Sequence, residues 1–195
     1  ALESQTLSPA FSQSTLSYTA SVPYGTTSVR LKPTVAESHA TVKVNGTTVA
    51  SGSFSTSIPV SPGANSINAV VTAEDGTTSS YTVVVTRAAA SSNAKLSALL
   101  VDSQTIAPDF AQNTLSYTAS VPFATTTVRI KPTVADSTAT VKVNGTTVSS
   151  GTLSGAIELV QGANTITTVV TVQDGTTKGT YTLVVTRSAA NTNAN

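Results

Sequence analysis

The chain contains the same sequence twice, and this duplication constrains its fold more than any other feature. Two of the longest matching stretches are Leu16–Pro23, repeated as Leu115–Pro122, and Val42–Val49, repeated as Val141–Val148. The offset is 99 residues up to the last hairpin of each copy and 100 residues after it, from Tyr81 to Tyr181. A period of this length is that of a domain, because solenoid repeats run about 20–50 residues. The sequence therefore predicts two domains of one fold.

Each copy has the pattern of short strands joined by tight turns. In copy one, Leu16, Tyr18, Ala20 and Val22 alternate with hydroxyl residues, which is the period-2 signature of a half-buried strand. Asn, Asp and Gly favour tight hairpins, and four such turns are predicted at Asn45-Gly46, Asp75-Gly76, Asn144-Gly145 and Asp174-Gly175. About seven strands in about 95 residues predict an all-β chain of two tandem Ig-like Greek-key β-sandwiches.

The alignment of the two copies sets the domain boundaries. The first domain spans residues 1–88, a linker spans 89–94, and the second domain spans 95–195 with a linker-like tail at 188–195. We expect the domains to lie end to end.

The start of copy one is out of phase with the predicted domain boundary. Ala1 aligns with Leu100, so most of the apolar first strand that begins at Leu96 has no counterpart in copy one. The chain therefore looks cut from a longer array. A sandwich without this strand exposes a backbone edge to which another chain can add a strand. The alternative is that the omitted residues exist outside this sequence.

Composition argues against most chemical functions. The chain has 10 Lys and Arg, 9 Asp and Glu, one His, no Cys and 64 Ser and Thr, with a net charge of +1. The lack of Cys excludes disulfides, thiolate nucleophiles and zinc ribbons. The balanced charge gives no footprint for nucleic acid, and no apolar run reaches the roughly 18 residues of a membrane span. We expect no enzyme activity, no cofactor and no metal site.

Two local patterns resemble sites of catalysis or metal binding. His39 follows Glu37 and Ser38, the residue types of a catalytic triad, but in a stretch with the character of a solvated loop. Glu74 and Asp75 are the only adjacent acids, whereas calcium needs about six to eight oxygen ligands. We therefore interpret His39 as a loop residue and Asp75 as a turn residue.

The candidate ligand and glycan positions are few. Asn45 and Asn144 begin Asn-x-Thr patterns and are candidate glycosylation sites in addition to turn residues. Tyr24 and Phe123 follow a proline at a strand end and are the candidates for contact with a ligand, for example by stacking on a sugar.

Other side chains are assigned structural roles. Asn65 and Asn164 are expected to cap loop amides. Two aromatic pairs are predicted in the cores: Phe11 with Tyr18, and Phe110 with Tyr117.

Copy two carries a spaced string of motifs. In order they are Leu96-Ser97-Ala98-Leu99, Ile106-x-Pro108-x-Phe110, Tyr117-x-x-x-Val121, Val143-Asn144-Gly145, Gly162-x-Asn164-x-Ile166, Asp174-Gly175 and Tyr181-x-Leu183-x-Val185-x-Arg187. Most of this string recurs in copy one through Arg87. It resembles the bacterial cadherin-like β-sandwich domain of surface and secreted proteins. The resemblance implies an extracellular spacer or display module in tandem copies, without calcium, because the junction between the copies has no acidic residue.

The leading hypothesis is a non-catalytic structural module or subunit of an extracellular surface protein or filament, built from sandwich domains and joined by strand complementation between subunits. Its partners would be identical chains or the rest of a longer polypeptide. The alternative is an adhesin or carbohydrate-binding module that uses loops at one end of a sandwich.

Overall fold

A computed structural model describes residues 1–191 and divides the chain into two compact units, Ala1–Ala90 and the part from Ser91 onward. Both are built from strands, and the prediction of two all-β sandwich domains is confirmed.

Unit 1 contains seven strands. They are β1 (Ser17–Val22), β2 (Ser28–Val29), β3 (Thr41–Val44), β4 (Thr47–Val49), β5 (Ile58–Pro59), β6 (Gly63–Thr72) and β7 (Thr78–Arg87). Five of them form one sheet in the order β1-β7-β6-β3-β4, and β2 pairs with β5. β1 runs parallel to β7, whereas the neighbours along the rest of the sheet are antiparallel.

Unit 2 contains nine strands. They are β8 (Leu96–Val101), β9 (Ser116–Val121), β10 (Thr127–Val128), β11 (Ile130–Val134), β12 (Thr140–Val143), β13 (Thr146–Val148), β14 (Ile157–Glu158), β15 (Gly162–Thr171) and β16 (Lys178–Arg187). The five-stranded sheet has the same order as in unit 1, β9-β16-β15-β12-β13. The additional elements are β8 and β11, which pair with each other.

Each unit buries its own apolar core, supplied by the inward residues of alternating strands. β1 buries Tyr18, Ala20 and Val22 and exposes the hydroxyl residues between them, as the alternation predicts. On β6 and β7, Ile67 and Val85 are completely buried.

A tyrosine anchors the loop before the first strand of each large sheet. The Tyr18 side chain is 2 % exposed, and its hydroxyl lies 2.6 Å and 2.7 Å from the carbonyl oxygens of Ser12 and Thr15. Tyr117 repeats the arrangement in unit 2 with both distances at 2.8 Å. A buried phenol needs such partners, so these contacts hold the loop against the sheet.

The prediction of an aromatic core pair is wrong for Phe11. Its ring stacks on Tyr18 with centroids 5.8 Å apart, but the side chain is 61 % exposed. Phe110 makes the same contact with its tyrosine and is half-buried. The phenylalanine therefore packs on the outside of the tyrosine, where it is not enclosed by the core.

Gly179 on β16 marks a close approach of two backbones. The chain before β8 passes so near that a Cβ on this glycine would overlap the carbonyl oxygen of Ala94. The residue in the same register on β7 is Ser79, which is exposed. Only in unit 2 does the approach of another backbone segment require a residue without a side chain at this position.

We expect Gly179→Ala to destabilise unit 2 by about 1–3 kcal/mol, because the new methyl group forces Ala94 and the start of β8 away from the sheet. Urea unfolding followed by unit-specific amide signals measures the change. The matched variant Ser79→Ala in unit 1 should alter stability by no more than about 0.5 kcal/mol. Equal effects of the two variants would contradict this account.

Candidate functional site

The two units differ most at the edge where β8 lies in unit 2. There β8 runs antiparallel to β11, with Leu99 opposite Pro132 and Leu96 opposite Val134. Beyond the strand, the Ala135 amide donates to the Lys95 carbonyl oxygen at 2.8 Å. This pairing covers the whole length of β11.

The matching segment of unit 1, residues 31–36, is paired only at its beginning. Leu2 forms a bridge with Leu31, and Ala1 and Lys32 exchange two backbone hydrogen bonds of 2.7 Å. We call residues 31–36 the open edge. No other residue of the described chain continues the ladder.

Five backbone groups of the open edge lack a hydrogen-bond partner among residues 1–191: the amides of Thr34 and Ala36 and the carbonyls of Thr34, Val35 and Ala36. Hydrogen-bonded pairs alternate along an antiparallel ladder, so after Lys32 the next position that faces outward is Thr34. The Thr34 amide and carbonyl and the Ala36 amide have no partner in the described part of the chain. Two neighbouring groups are satisfied from the other side, since the Val35 amide donates to Ser51 Oγ and the Pro33 carbonyl accepts from the Gly52 amide.

A cavity of about 590 Å³ lies beside the open edge. It is lined by the following residues, none of which is charged: Val35, Ala36, Ser38, Ala40, Thr41, Val42, Thr48, Val49, Ala50 and Ser51. Val35 and Ala36 correspond to Val134 and Ala135, which contact the start of β8 in unit 2. The cavity therefore adjoins the track that β8 fills in the other copy.

Apolar side chains around the open edge are less covered than their counterparts. Val71 and Tyr81 are half-buried, whereas Val170 and Tyr181 are 0 % and 1 % exposed. In unit 2 the Tyr181 hydroxyl accepts the buried Leu96 amide at 3.0 Å. The absence of a strand on the open edge thus leaves apolar core surface accessible.

The last strand of each unit ends in an arginine, Arg87 on β7 and Arg187 on β16, whose hydrogen bonds hold two loops. We call this arrangement the arginine clamp. Arg87 donates from Nε to the Tyr24 carbonyl oxygen at 2.8 Å and from Nη1 to the Val60 carbonyl oxygen at 3.0 Å, and its guanidinium lies 4.7 Å from the centre of the Tyr24 ring. Arg187 repeats these contacts with Phe123 and Leu159. A planar guanidinium suits this combination of forked donation and stacking. The clamp ties two loops to the last strand.

The arginine clamps include the two aromatic residues that were predicted to contact a ligand, Tyr24 and Phe123. Tyr24 is half-buried and Phe123 is 44 % exposed, and each has one ring face under a guanidinium. That these rings contact a ligand stays a prediction. Sequence reasoning missed the role of the two arginines, although their recurrence at the end of matching strands was a usable signal.

His39 does not form a triad with its neighbours. Its Nδ1 lies 3.5 Å from Ser38 Oγ and 3.9 Å from Glu74 Oε2, and all of these side chains are exposed. A triad uses opposite ring nitrogens for the nucleophile and the acid. Here one nitrogen faces both, so the geometry provides no proton relay.

The Asn-Gly turns have the expected backbone. Asn45 and Gly46 have φ values of 46° and 82°, and Asn144 and Gly145 have 47° and 82°. The Asn45 side-chain oxygen Oδ1 accepts the Asn68 backbone amide at 2.9 Å, which ties the hairpin tip to β6. Both asparagines are exposed, and their glycosylation stays a prediction.

The Asp-Gly turns are held by carboxylates. Asp75 accepts the Thr77 amide at 2.8 Å, and Asp174 accepts the amides of Thr176 and Thr177 at 2.7 Å and 2.9 Å. These amides lower the pKa of the Asp174 carboxyl below its ordinary value, Thr177 having the larger effect.

The loop asparagines cap backbone groups as expected. The Asn65 side-chain oxygen Oδ1 accepts the Ser61 backbone amide at 2.9 Å, and its Nδ2 donates to three backbone carbonyl oxygens, those of Ser61, Gly63 and Val85. Asn164 makes the equivalent contacts. Each of these side-chain amides therefore has its hydrogen-bond partners within its own unit.

Among residues 1–191, no group of three or more His, Cys, Asp or Glu side chains is placed to hold a metal ion. The same residues include no helix that is long and apolar enough to cross a membrane.

Comparison with known proteins places these observations in a family. The family described as "Cadherin-like beta sandwich domain" matches residues 2–88 and again residues 92–188. A protein of Evansella cellulosilytica described as "Putative membrane protein" is 39 % identical over 82 residues, which are 42 % of this chain and 12 % of that protein. The chain thus spans only a small part of that relative.

Solved structures of cadherins and titin resemble the chain at low identity. The PcdhgB3 EC1-4 structure matches at 10 % identity and a TM-score of 0.37, covering 98 % of this chain and 52 % of that one. Mouse cadherin-23 EC22-24 matches at 12 % identity and a TM-score of 0.32, covering 94 % and 66 %. The titin z1z2 domains in complex with telethonin match at 11 % and 0.38, covering 94 % and 95 %.

We expect Arg87→Ala to lower the stability of unit 1 by about 2–3 kcal/mol, because it removes the charged donors to two carbonyl oxygens. Arg87→Lys should recover little, since an ammonium cannot reproduce the fork. Tyr24→Phe is the matched control and should be nearly neutral, because the bonded atom of Tyr24 is its backbone oxygen. Denaturant unfolding followed by signals specific to unit 1 measures the change in stability. An Arg87→Lys variant as stable as the parent chain would contradict the role given to the guanidinium.

The turn carboxylate predicts a pH dependence. Because the pKa of Asp174 is lower in the folded than in the unfolded chain, its stabilising effect is present above the ordinary Asp pKa and is lost as pH falls below about 4. The denaturation midpoint of unit 2 should therefore fall less steeply between about pH 5 and pH 3 in Asp174→Asn than in the parent chain. Asp109→Asn, which alters an exposed acid without such a turn bond, should keep the parent slope. Identical slopes in all three chains would exclude the effect.

Proposed function

The chain belongs to the family of cadherin-like beta sandwich domains, and from that premise we propose that it is a non-catalytic structural module or subunit of an extracellular surface protein or filament built from such domains in series. Domains of this family are typically extracellular adhesion or structural modules and are generally non-catalytic. The partners are identical chains or the remainder of a longer polypeptide.

The observation that carries the proposal is the repetition of a self-contained sandwich. Each unit has its own buried core, its own tyrosine anchor and its own arginine clamp. Repetition of a domain with the same internal supports extends a chain without adding a reactive centre. This is the property expected of a spacer or fibre element.

The sheet surfaces also favour contact with neighbours. The outward residues of β1 and β9 are Ser and Thr, and the chain as a whole has a net charge of only +1. Surfaces with little net charge resist association weakly. Addition of a strand at the open edge of unit 1 is the mode of joining that we propose.

The alternative of a carbohydrate-binding module has less support. It relies on Tyr24 and Phe123 as stacking platforms, and a guanidinium already lies over one face of each ring. The guanidinium groups of Arg87 and Arg187 donate to backbone oxygens within their own units, so these side chains stabilise the fold.

Electron microscopy and mass measurement of the native material test the structural role. We expect filaments, arrays or strings of domains, because sandwich units in series extend the particle. Light scattering of the same material should give a mass above that of the 19.6 kDa chain. Compact, non-associating two-domain monomers, with no longer parent polypeptide, would overturn the proposal.

A further inference from the structure

We propose that Asn45 and Asn144 are sites of spontaneous conversion to isoaspartate, and that the backbone amides of Asn68 and Thr167 set the rate of this modification. These amides hold the asparagine side chains away from the reacting nitrogen. The inference goes beyond the structural role proposed above and does not depend on it. The Asn-Gly turn occurs once in each unit, so the chain contains two examples of one arrangement.

The reaction joins the two residues of the turn. The backbone nitrogen of the glycine loses its proton to hydroxide from the solvent and forms a bond to the side-chain carbon Cγ of the asparagine. The bond from Cγ to Nδ2 then breaks, and Nδ2 takes a proton from water and leaves as ammonia, which gives a cyclic succinimide. Water opens this ring on either side, so the product is aspartate or isoaspartate. Asparagine is a thermolabile residue of proteins, and here the only co-reactant is water.

Both turns present the reacting groups without hindrance. The asparagine and the glycine of each turn are exposed, and a Cβ added to Gly46 or Gly145 would have no neighbour within 4 Å. The amides of these two glycines have no acceptor among the described residues, so no internal hydrogen bond protects the attacking nitrogen. The local sequence and its accessibility therefore favour the reaction.

A pair of hydrogen bonds across the sheet opposes the reaction in unit 1. The Asn45 amide donates to the Asn68 carbonyl oxygen at 2.9 Å, and the Asn68 amide donates to Asn45 Oδ1 at 2.9 Å. In a regular antiparallel ladder both bonds of such a pair join backbone groups. Because the chain turns at Asn45, where φ is 46°, the side-chain oxygen takes the place of the backbone carbonyl.

The same pair of bonds is present in unit 2 and shows the direction of the side chain. The Asn144 amide donates to the Thr167 carbonyl oxygen at 2.8 Å, and the Thr167 amide donates to Asn144 Oδ1 at 2.9 Å. Strand β12 has β15 on one side and β13 on the other. The carboxamide is drawn toward β15, whereas Gly145 leads the chain toward β13. Attack on Cγ therefore requires that the bond to Thr167 opens and that the side chain rotates.

Conversion thus proceeds through a locally opened state. Its rate is the rate in an unstructured chain multiplied by the population of that state. Opening one hydrogen bond of this kind slows the reaction by about tenfold. Exchange of the Asn68 and Thr167 amide protons with solvent requires the same opening, so two independent measurements report one event.

The two products differ in their effect on the turn. Aspartate keeps a side-chain oxygen in the place of Oδ1 and retains the bond to the neighbouring strand. Isoaspartate carries the main chain through the former side chain, which adds one carbon atom to the backbone of the turn and removes this acceptor. The modification therefore alters the hairpin that joins β3 to β4, or β12 to β13.

The first test follows both turns in the parent chain. The folded chain is incubated at mildly alkaline pH, and conversion at Asn45 and Asn144 is measured by peptide mapping with mass spectrometry, with the chain in guanidinium chloride as the unfolded reference. We expect conversion to be about tenfold slower in the folded chain. The slowing at each turn should agree within about threefold with the exchange protection of its partner amide, Asn68 or Thr167. Equal rates in the folded and unfolded chains, or slowing without protection of that amide, overturn the proposal.

Two substitutions at position 68 test whether the amide controls the rate. The Asn68 amide points to Asn45 and away from β7, so Asn68→Pro removes this donor without removing a bond between β6 and β7. Conversion at Asn45 should become about tenfold faster, while Asn144 in the same molecule keeps its rate. Asn68→Val is the matched control, because it keeps the amide and removes only the side chain that accepts from Thr82 Oγ1 at 3.0 Å. It should leave the rate at Asn45 unchanged.

Slow exchange of the buried Val85 amide shows whether unit 1 of the Asn68→Pro chain stays folded. An unchanged rate at Asn45 in a folded Asn68→Pro chain, or a faster rate in Asn68→Val, overturns the proposal. If the proline unfolds unit 1, the comparison of slowing with amide protection in the parent chain decides by itself. None of these results depends on whether the native material is filamentous.

Discussion

The pairing of β8 with β11 is the interaction on which the closure of the sandwich depends. It satisfies the outward backbone groups of β11 and brings Leu96 and Leu99 over the core. Through the Leu96 amide it also fixes the Tyr181 hydroxyl, which reaches across to the Gln112 carbonyl at 3.0 Å. Where this strand is absent, in unit 1, the same valine and tyrosine positions are only half-buried. Units 1 and 2 are similar in sequence and belong to the same chain, so the comparison between them isolates the contribution of a single strand.

The supports that do not depend on that strand are alike in both units. The tyrosine anchor, the Asn-Gly hairpin and the arginine clamp each recur with distances that differ by little. They tie loops to the five-stranded sheet, which is complete in unit 1 as well as in unit 2. Unit 1 is therefore held by its large sheet, and among residues 1–191 no strand pairs with Thr34 or Ala36.

Particular residues show how far the sequence alone determined the outcome. The period-2 run at Leu16–Val22 and the Asn-Gly pairs predicted strands and turns, because alternation and positive φ values are local properties. The parallel pairing of β1 with β7 and the contacts of Arg87 join residues about sixty positions apart, and local patterns carry no information on such pairs. Phe11 was misplaced because its ring stacks on the outside of Tyr18, where the core does not enclose it. The absent strand itself was visible from the alignment of the copies, whereas the cavity beside it required coordinates.

The energetics of the open edge indicate what a strand equivalent to β8 would contribute to unit 1 through its backbone and through two leucines in the places of Leu96 and Leu99. The free amides of Thr34 and Ala36 lie on exposed residues, where water serves as their partner, so pairing each adds only about 0.5–1.5 kcal/mol. Burial of a leucine side chain contributes about 1.5–3 kcal/mol, and two leucines therefore outweigh the backbone bonds. Ordering a five-residue segment costs about 1–2 kcal/mol per residue for its backbone, which offsets most of the gain. The net gain is accordingly modest for a separate strand and larger for a strand that the same polypeptide supplies, because covalent connection raises its effective concentration.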